Sequence, residues 1–251
     1  MVWQAVTLLI FIALWQGFTL TATARAVGMP GPFEVVQTLG GMITGMPFWA
    51  SLGATIANWL VALVVAILIG VPLGMVLGRV RRAALSAGVL IDFLRTIPSF
   101  ALIPILLLLL GPRMSMVVFA AVFAGVWPLL IQAMYAAEQL DPVLSQVSRA
   151  FRLRPIDRLR YVLIPDFVAF LWPGLRLATT ATLLVTIGAE LIGGAPGIGS
   201  AMQQAQLFNL PDVTYAWVVV AGILGLAVNG AVLLGQRRLL WWHPTMRGEQ
   251  R

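Results

Sequence analysis

Four ionisable residues interrupt otherwise apolar stretches of the chain: Asp92 and Arg95, three positions apart, then Arg176 and Glu190. Positions i and i+3 share a helix face, so Asp92 and Arg95 are placed to neutralise each other. The other reading is that Asp92, Arg95, Thr96 and Ser99 line a passage, with Pro98 bending the helix there. Charges in a lipid-embedded segment pair or mark a path, and both readings stand at this point. Arg176 lies one or two turns inside its apolar segment and is expected to snorkel to the surface. Glu190 lies at the far end of the same segment, as an interfacial carboxylate, a gate residue or a partner contact.

No catalytic set accompanies these charges. There is no cysteine, the single histidine is His243, and all sixteen basic residues are arginine. Thiolate chemistry, a His-clustered metal centre, a Walker-type ATPase and a Schiff-base enzyme are thereby excluded. The run 193–200, GGAPGIGS, has the glycine spacing of a phosphate loop, but it lacks the lysine and follows no strand. It reads as a turn leaving a helix, where Gly197 and Gly199 permit close backbone approach to a docked partner. Neither a catalytic residue nor a metal ligand is expected.

The elements that carry these residues follow from composition. The chain has 251 residues, 60% of them hydrophobic and 10% charged, against roughly 45–50% and about 25% in soluble domains. Lipid must therefore be the second solvent. Charge-free stretches run from Met1 to Arg25, Glu34 to Arg79, Arg113 to Glu138 and Asp212 to Arg237. A crossing needs about 20 apolar residues, which predicts about six helices near 2–21, 53–78, 87–110, 114–136, 169–192 and 213–236. The runs lack period-2 alternation, which argues against a β-barrel. The expected class is an all-α polytopic membrane protein, one membrane domain over 1–251.

Arginine placement orients it. With the N-terminus inside, twelve arginines fall in inner loops and the C-terminal tail, and only Arg25 and Arg113 fall outside. The positive-inside rule then puts both termini in the cytoplasm. Topology accounts for the net charge of +7, and nucleic acid is not needed. The first helix lacks a charged n-region and is expected to remain uncleaved. Pro30-Gly31-Pro32 bars a continuous helix, so a short interfacial helix starts near Phe33. The tryptophans, among them Trp127 and Trp172, are expected mostly in interfacial belts, and Asn58, Gln132, Thr186 and Asn229 as helix–helix bonds.

The longest hydrophilic segment, about 137–167, has a pattern of its own. Asp141-Pro142 is a helix start. Leu140, Val143, Leu144, Val147 and Phe151 then recur at helical spacing. Arg154-Pro155 ends that helix, and a second short one runs from about Ile156 into Ile164-Pro165. The segment is either a solvated loop whose arginines set topology or an exposed helical pair that docks into a partner, since an apolar stripe outside the bilayer needs burial.

Taken in order, several stretches resemble the membrane-spanning permeases of bacterial ATP-binding-cassette (ABC) importers, in the branch handling sulfonates, taurine and nitrate. They are Pro30–Val35, Ile69–Gly74, Ile91–Pro104, Pro173–Leu177, Ala189-Glu190 and Gly194–Gly199. The family's cytoplasmic signature aligns on Pro165. It places Gln146, Val147 and Ser148 where Glu-Ala-Ala is usual, and Arg152 where glycine is usual. The resemblance implies that Leu144, Gln146, Val147, Ser148, Phe151, Arg152 and Pro165 form the ATPase-coupling loop, and that Gly197 and Gly199 face an external solute-binding protein. It implies two ATP-binding subunits that bind the ATP, a second permease copy, no cofactor on this chain, and the bacterial inner membrane. An ion-coupled secondary transporter would need repeat halves and a buried carboxylate network. A membrane enzyme would need clustered catalytic groups. Neither pattern is evident in the sequence.

Overall fold

The computed structural model describes residues 2–21, 28–138 and 150–241, and every regular element among them is helical. The order is α1 (Val2–Thr19), α2 (Pro32–Ile43), α3 (Met46–Arg79), α4 (Arg81–Thr96), a 3₁₀ turn (Ser99–Leu102) and α5 (Ile103–Leu110). Then come α6 (Met114–Glu138), α7 (Pro155–Arg158), a π turn (Leu159–Leu163), α8 (Ile164–Gly193), α9 (Ile198–Leu207) and α10 (Pro211–Leu239).

Four spans are long and apolar enough to cross a membrane: α3, α6, the α7–α9 stretch and α10. The third apolar run of the sequence is not one straight helix. Ile97 is extended (φ −68°, ψ 119°) because the following Pro98 disfavours the α region. The segments on either side are bent by 75°. Counting that bent pair as one span gives up to five, with Leu9–Thr19 a shorter apolar helix, so the six runs seen in hydropathy are not six equivalent crossings. Other limits also shift. α3 begins at Met46, with Pro47 in its first turn, and the fifth span is helical from Pro155 because the π turn joins α7 to α8 without a break. Pro32 opens α2 at the predicted interfacial position, and the Gly31 N–H donates to Glu34 Oε2 at 3.0 Å.

The centre is α6, packed between α3 and α8. Hydrophobicity does not drive helices together in lipid, so close backbone approach must. Ala62, Ala66, Gly70, Gly74 and Gly78 recur every four residues along α3, and Gly125, Ala133 and Ala137 face them from α6. A Cβ on Gly70 would stand 2.9 Å from the Val126 carbonyl oxygen, and one on Gly74 would meet the Leu130 carbonyl and Ala133. Ile103, Leu106, Met116, Val117 and Val185 fill one end of this core. Phe48 stacks on Trp217 (centroids 5.2 Å, 14° between planes) in a second cluster that closes α3 on α9 and α10.

Tryptophan placement departs from a simple belt. Trp172 and Trp217 are buried, and the Trp59 Nε1–H donates to the Thr179 carbonyl at 3.2 Å. Their rings fill gaps beside small residues, as Trp172 does against Gly235.

Candidate functional site

The bend at Pro98 opens a recess in the membrane region that an arginine and a serine line. A cavity of about 360 Å³ is lined by Arg95, Pro98 and Ser99 from the bend, Trp127 and Pro128 from α6, and Leu184 and Val185 from α8, among others. Arg95 NH2 lies 3.0 Å from Asp92 Oδ1, and both side chains are exposed. The ion pair therefore forms and Arg95 still borders the cavity, so the two sequence-based readings coexist for that residue. Asp92 and Thr96 are not in the lining. Thr96 Oγ1 donates to the Phe93 carbonyl at 2.7 Å, which closes the last turn of α4. Trp127 adds an indole N–H that is buried and has no acceptor among the described residues.

Glu190 is elsewhere. Its side chain is 0% exposed, inside α8. Thr55 Oγ1–H donates to Oε2 at 2.7 Å, Asn58 Nδ2 donates to Oε1 at 3.0 Å, and the Gly199 N–H donates to Oε2 at 3.2 Å. Burying such a group without partners costs on the order of 1–3 kcal/mol or more, which this set of donors offsets. Its oxygens are turned to α3 and to the turn after α8, and it does not line the recess at Pro98. Gly197 and Gly199 pack against it. A Cβ on Gly197 would collide with the Glu190 carboxyl, and one on Gly199 with the Ile187 carbonyl. Their close approach is to this chain's own helix, and both are buried in it.

Other polar groups act as helix–helix bonds. Gln132 Nε2 donates to the Phe170 carbonyl at 2.7 Å, and Arg176 Nε donates to Asn229 Oδ1 at 3.3 Å. Arg176 is thus tied to α10 rather than simply extended to the surface. Thr186 Oγ1 is buried with no partner among the described residues; we have no physical account of it.

Of the coupling-loop candidates, Leu144, Gln146, Val147 and Ser148 lie outside the described residues. Phe151 is 76% exposed. Arg152 has φ +50°, the left-handed region that glycine adopts freely. The chain therefore keeps a glycine-type bend at this position with a residue that carries a Cβ. Arg154 is extended (ψ 149°) ahead of Pro155, as the proline requires. Pro165 sits immediately after the π turn, as the second residue of α8. No sequence pattern marks Thr55 as a Glu190 partner. A hydroxyl buried three residues before Asn58 on one helix face was the only trace.

A helical subunit with several membrane-spanning segments and a recess between them has the architecture of a membrane transport protein. Residues 66–240 match the family described as the binding-protein-dependent transport system inner membrane component, and the chain belongs to that family. It is 28% identical over 231 residues to a probable ABC transporter permease protein of Brucella melitensis, covering 90% of this chain and 91% of that one. It is 28% identical to the nitrate import permease protein of Synechococcus elongatus (90% and 85% covered) and 28% identical to an Escherichia coli chain named as an aliphatic sulfonates transport permease (93% and 89%). The fold is that of the methionine ABC transporter seen in inward-facing conformations, with TM-score 0.65, 18% identity, and 78% of this chain and 99% of that chain covered. The chain is the permease subunit of an ABC importer in the bacterial inner membrane. An ion-coupled secondary transporter is set aside. ATP-binding subunits and a solute-binding protein are the partners that the family implies. Among the described residues no group of His, Cys, Asp and Glu is arranged to hold a metal.

Proposed function

We propose that this permease carries a small anion, and that its path runs past Arg95 and Ser99 at the Pro98 bend. The carrying observation is the cavity itself, which brings a guanidinium and a hydroxyl together between α4, α6 and α8. Donors without a carboxylate in the lining favour an anion. Relatives named for nitrate, bicarbonate and aliphatic sulfonates support the same solute class. Arg95 keeps Asp92 as its resting partner, which lowers the cost of holding a cation in the membrane. An arriving anion competes for the same five-donor fork.

The whole chain acts as one membrane domain with both termini in the cytoplasm. Two copies enclose the path, and each bears on one of two ATPases through about 137–167, with Val147 and Phe151 as the buried contacts. ATP closes the ATPase pair, the coupling loops follow, and the helices around the path open to the other side. Uptake by proteoliposomes holding the assembled importer tests the reading, with labelled nitrate, bicarbonate and ethanesulfonate against an uncharged and a cationic solute. ATP-dependent uptake of one of the three anions, reduced at least tenfold by Arg95→Gln, is expected. Uptake confined to the uncharged or cationic solutes refutes it.

A further inference from the structure

The Glu190 cluster lies outside the proposed path, and its geometry goes beyond packing. Four hydrogen bonds converge on two side chains of α3, and a fifth closes on the same carboxyl. Thr55 Oγ1 donates to Glu190 Oε2 and accepts the Ile198 N–H at 2.8 Å. Asn58 Nδ2 donates both to Glu190 Oε1 and to the Pro196 carbonyl at 3.3 Å. The fifth is the bond from the Gly199 N–H to Glu190 Oε2. One carboxyl on α8 is thereby tied to α3 and to the start of α9, while on α3 one hydroxyl is tied to the first residue of α9 and one amide to the turn 194–197.

The turn is shaped for this. Gly194 caps α8 in the left-handed conformation (φ +69°), and Gly197 has φ +157°. The Gly197 N–H is taken by Ser200 Oγ at 3.1 Å, and Ser200 Oγ–H returns to the Gly197 carbonyl at 2.9 Å. The backbone is thereby folded onto the carboxyl with no room for a Cβ at 197 or 199. The Asn58 amide cannot turn over, because that would set its oxygen against the Pro196 carbonyl. All three groups on Glu190 are donors, so the position requires an acceptor at both oxygens.

We propose that Glu190 is a positioning residue for transport: its carboxyl clasps the turn after α8 and the start of α9 to α3, so that these elements move as one body when the path opens. The clasp touches no solute. It transmits helix tilting to α9, and the path changes shape at the Ile97-Pro98 break, where no such clasp exists among the described residues. The proposal holds for any solute and rests on the family's use of ATPase and binding-protein partners.

The test uses the permease–ATPase complex in proteoliposomes and reads ATP hydrolysis with and without the cognate solute-loaded binding protein. The readout is the ratio of the two rates, which a general loss of folded complex leaves unmoved. Glu190→Gln sets an amide N–H2 against a donor, and Thr55→Val removes the hydroxyl at constant shape. Each is expected to lower the ratio at least fivefold, while Thr55→Ser, which keeps the hydroxyl, stays within twofold of the unmodified protein. The double variant Glu190→Gln, Thr55→Val should lose no more than the worse single change, because both break one unit. If Glu190→Gln does not assemble, the two Thr55 variants decide. Ratios within twofold of normal for the clasp-breaking variants that assemble overturn the proposal. So does failure of both Glu190→Gln and Thr55→Val to assemble while Thr55→Ser assembles, since the clasp would then serve folding alone.

Discussion

Adding one methyl group at two positions of α3 should change stability in opposite directions. At Gly53 a Cβ meets nothing within 4 Å, so Gly53→Ala leaves the fold unstrained. It should stabilise by about 0.5–1 kcal/mol through the lower entropy of the unfolded chain and better helix propensity. At Gly74 the same methyl would overlap the Leu130 carbonyl and Ala133 Cβ and come 3.1 Å from the Met134 nitrogen. Two of those three atoms are backbone of α6 and cannot move aside by a rotamer change. The helices must separate, and overpacking of this kind costs about 1–3 kcal/mol. Even after the same propensity gain, Gly74→Ala should end roughly 0–2.5 kcal/mol below the unmodified protein. At about 2–4 °C per kcal/mol for a chain of this size, the two variants should differ by several degrees. Tryptophan fluorescence during heating in detergent reads this directly. Equal melting temperatures, or a higher one for Gly74→Ala, would refute the account of helix packing.

Three further outcomes are expected. Exchanging the pair (Asp92→Arg with Arg95→Asp) should restore assembly lost in either single variant but not anion uptake, because only Arg95 borders the cavity; recovered uptake would remove Arg95 from the path. Phe151→Asp should leave the permease in the membrane and uncouple ATP hydrolysis from transport, and normal uptake would count against an ATPase contact there. The chain contains no cysteine, so Tyr161→Cys should react with an impermeant maleimide only from the cytoplasmic side, and labelling of intact cells from outside would reverse the topology.

The helical class and the main apolar runs were legible because hydropathy reports directly on lipid exposure. Where the runs break was less so. Pro98 sits in one continuous apolar stretch with Ile97 and Phe100, and hydropathy counts it as a single crossing. Only the backbone rule for the residue before proline marks the 75° bend. Proline alone does not decide the matter, since Pro72, Pro128 and Pro173 all lie inside unbroken helices. The late expected start of the fifth span has a similar cause. Residues 155–168 carry Asp157, Arg158, Arg160 and Asp166, so hydropathy reads a loop where backbone hydrogen bonding continues through a π turn.

The candidate site was legible where chemistry is local and opaque where it is tertiary. The Asp92–Arg95 pair is an i,i+3 contact on one helix, so spacing alone predicted it. Arg152 is local too: comparison with a glycine-bearing signature marks a bend, and φ +50° is what that bend demands. Glu190 is the opposite case. Its partners lie 135 and 132 residues away on α3, and no pattern in the chain links them. Read alone, a carboxylate at the outer end of a span beside a glycine run points outward, toward a path or a docked protein. Once Thr55 and Asn58 are brought up from α3, the same glycines serve to let the turn close over the carboxyl. A buried ionisable group in a membrane span therefore marks function by default only until its donors are found. Here the donors, Thr55, Asn58 and the Gly199 N–H, all come from this chain and join Glu190 to α3 and α9.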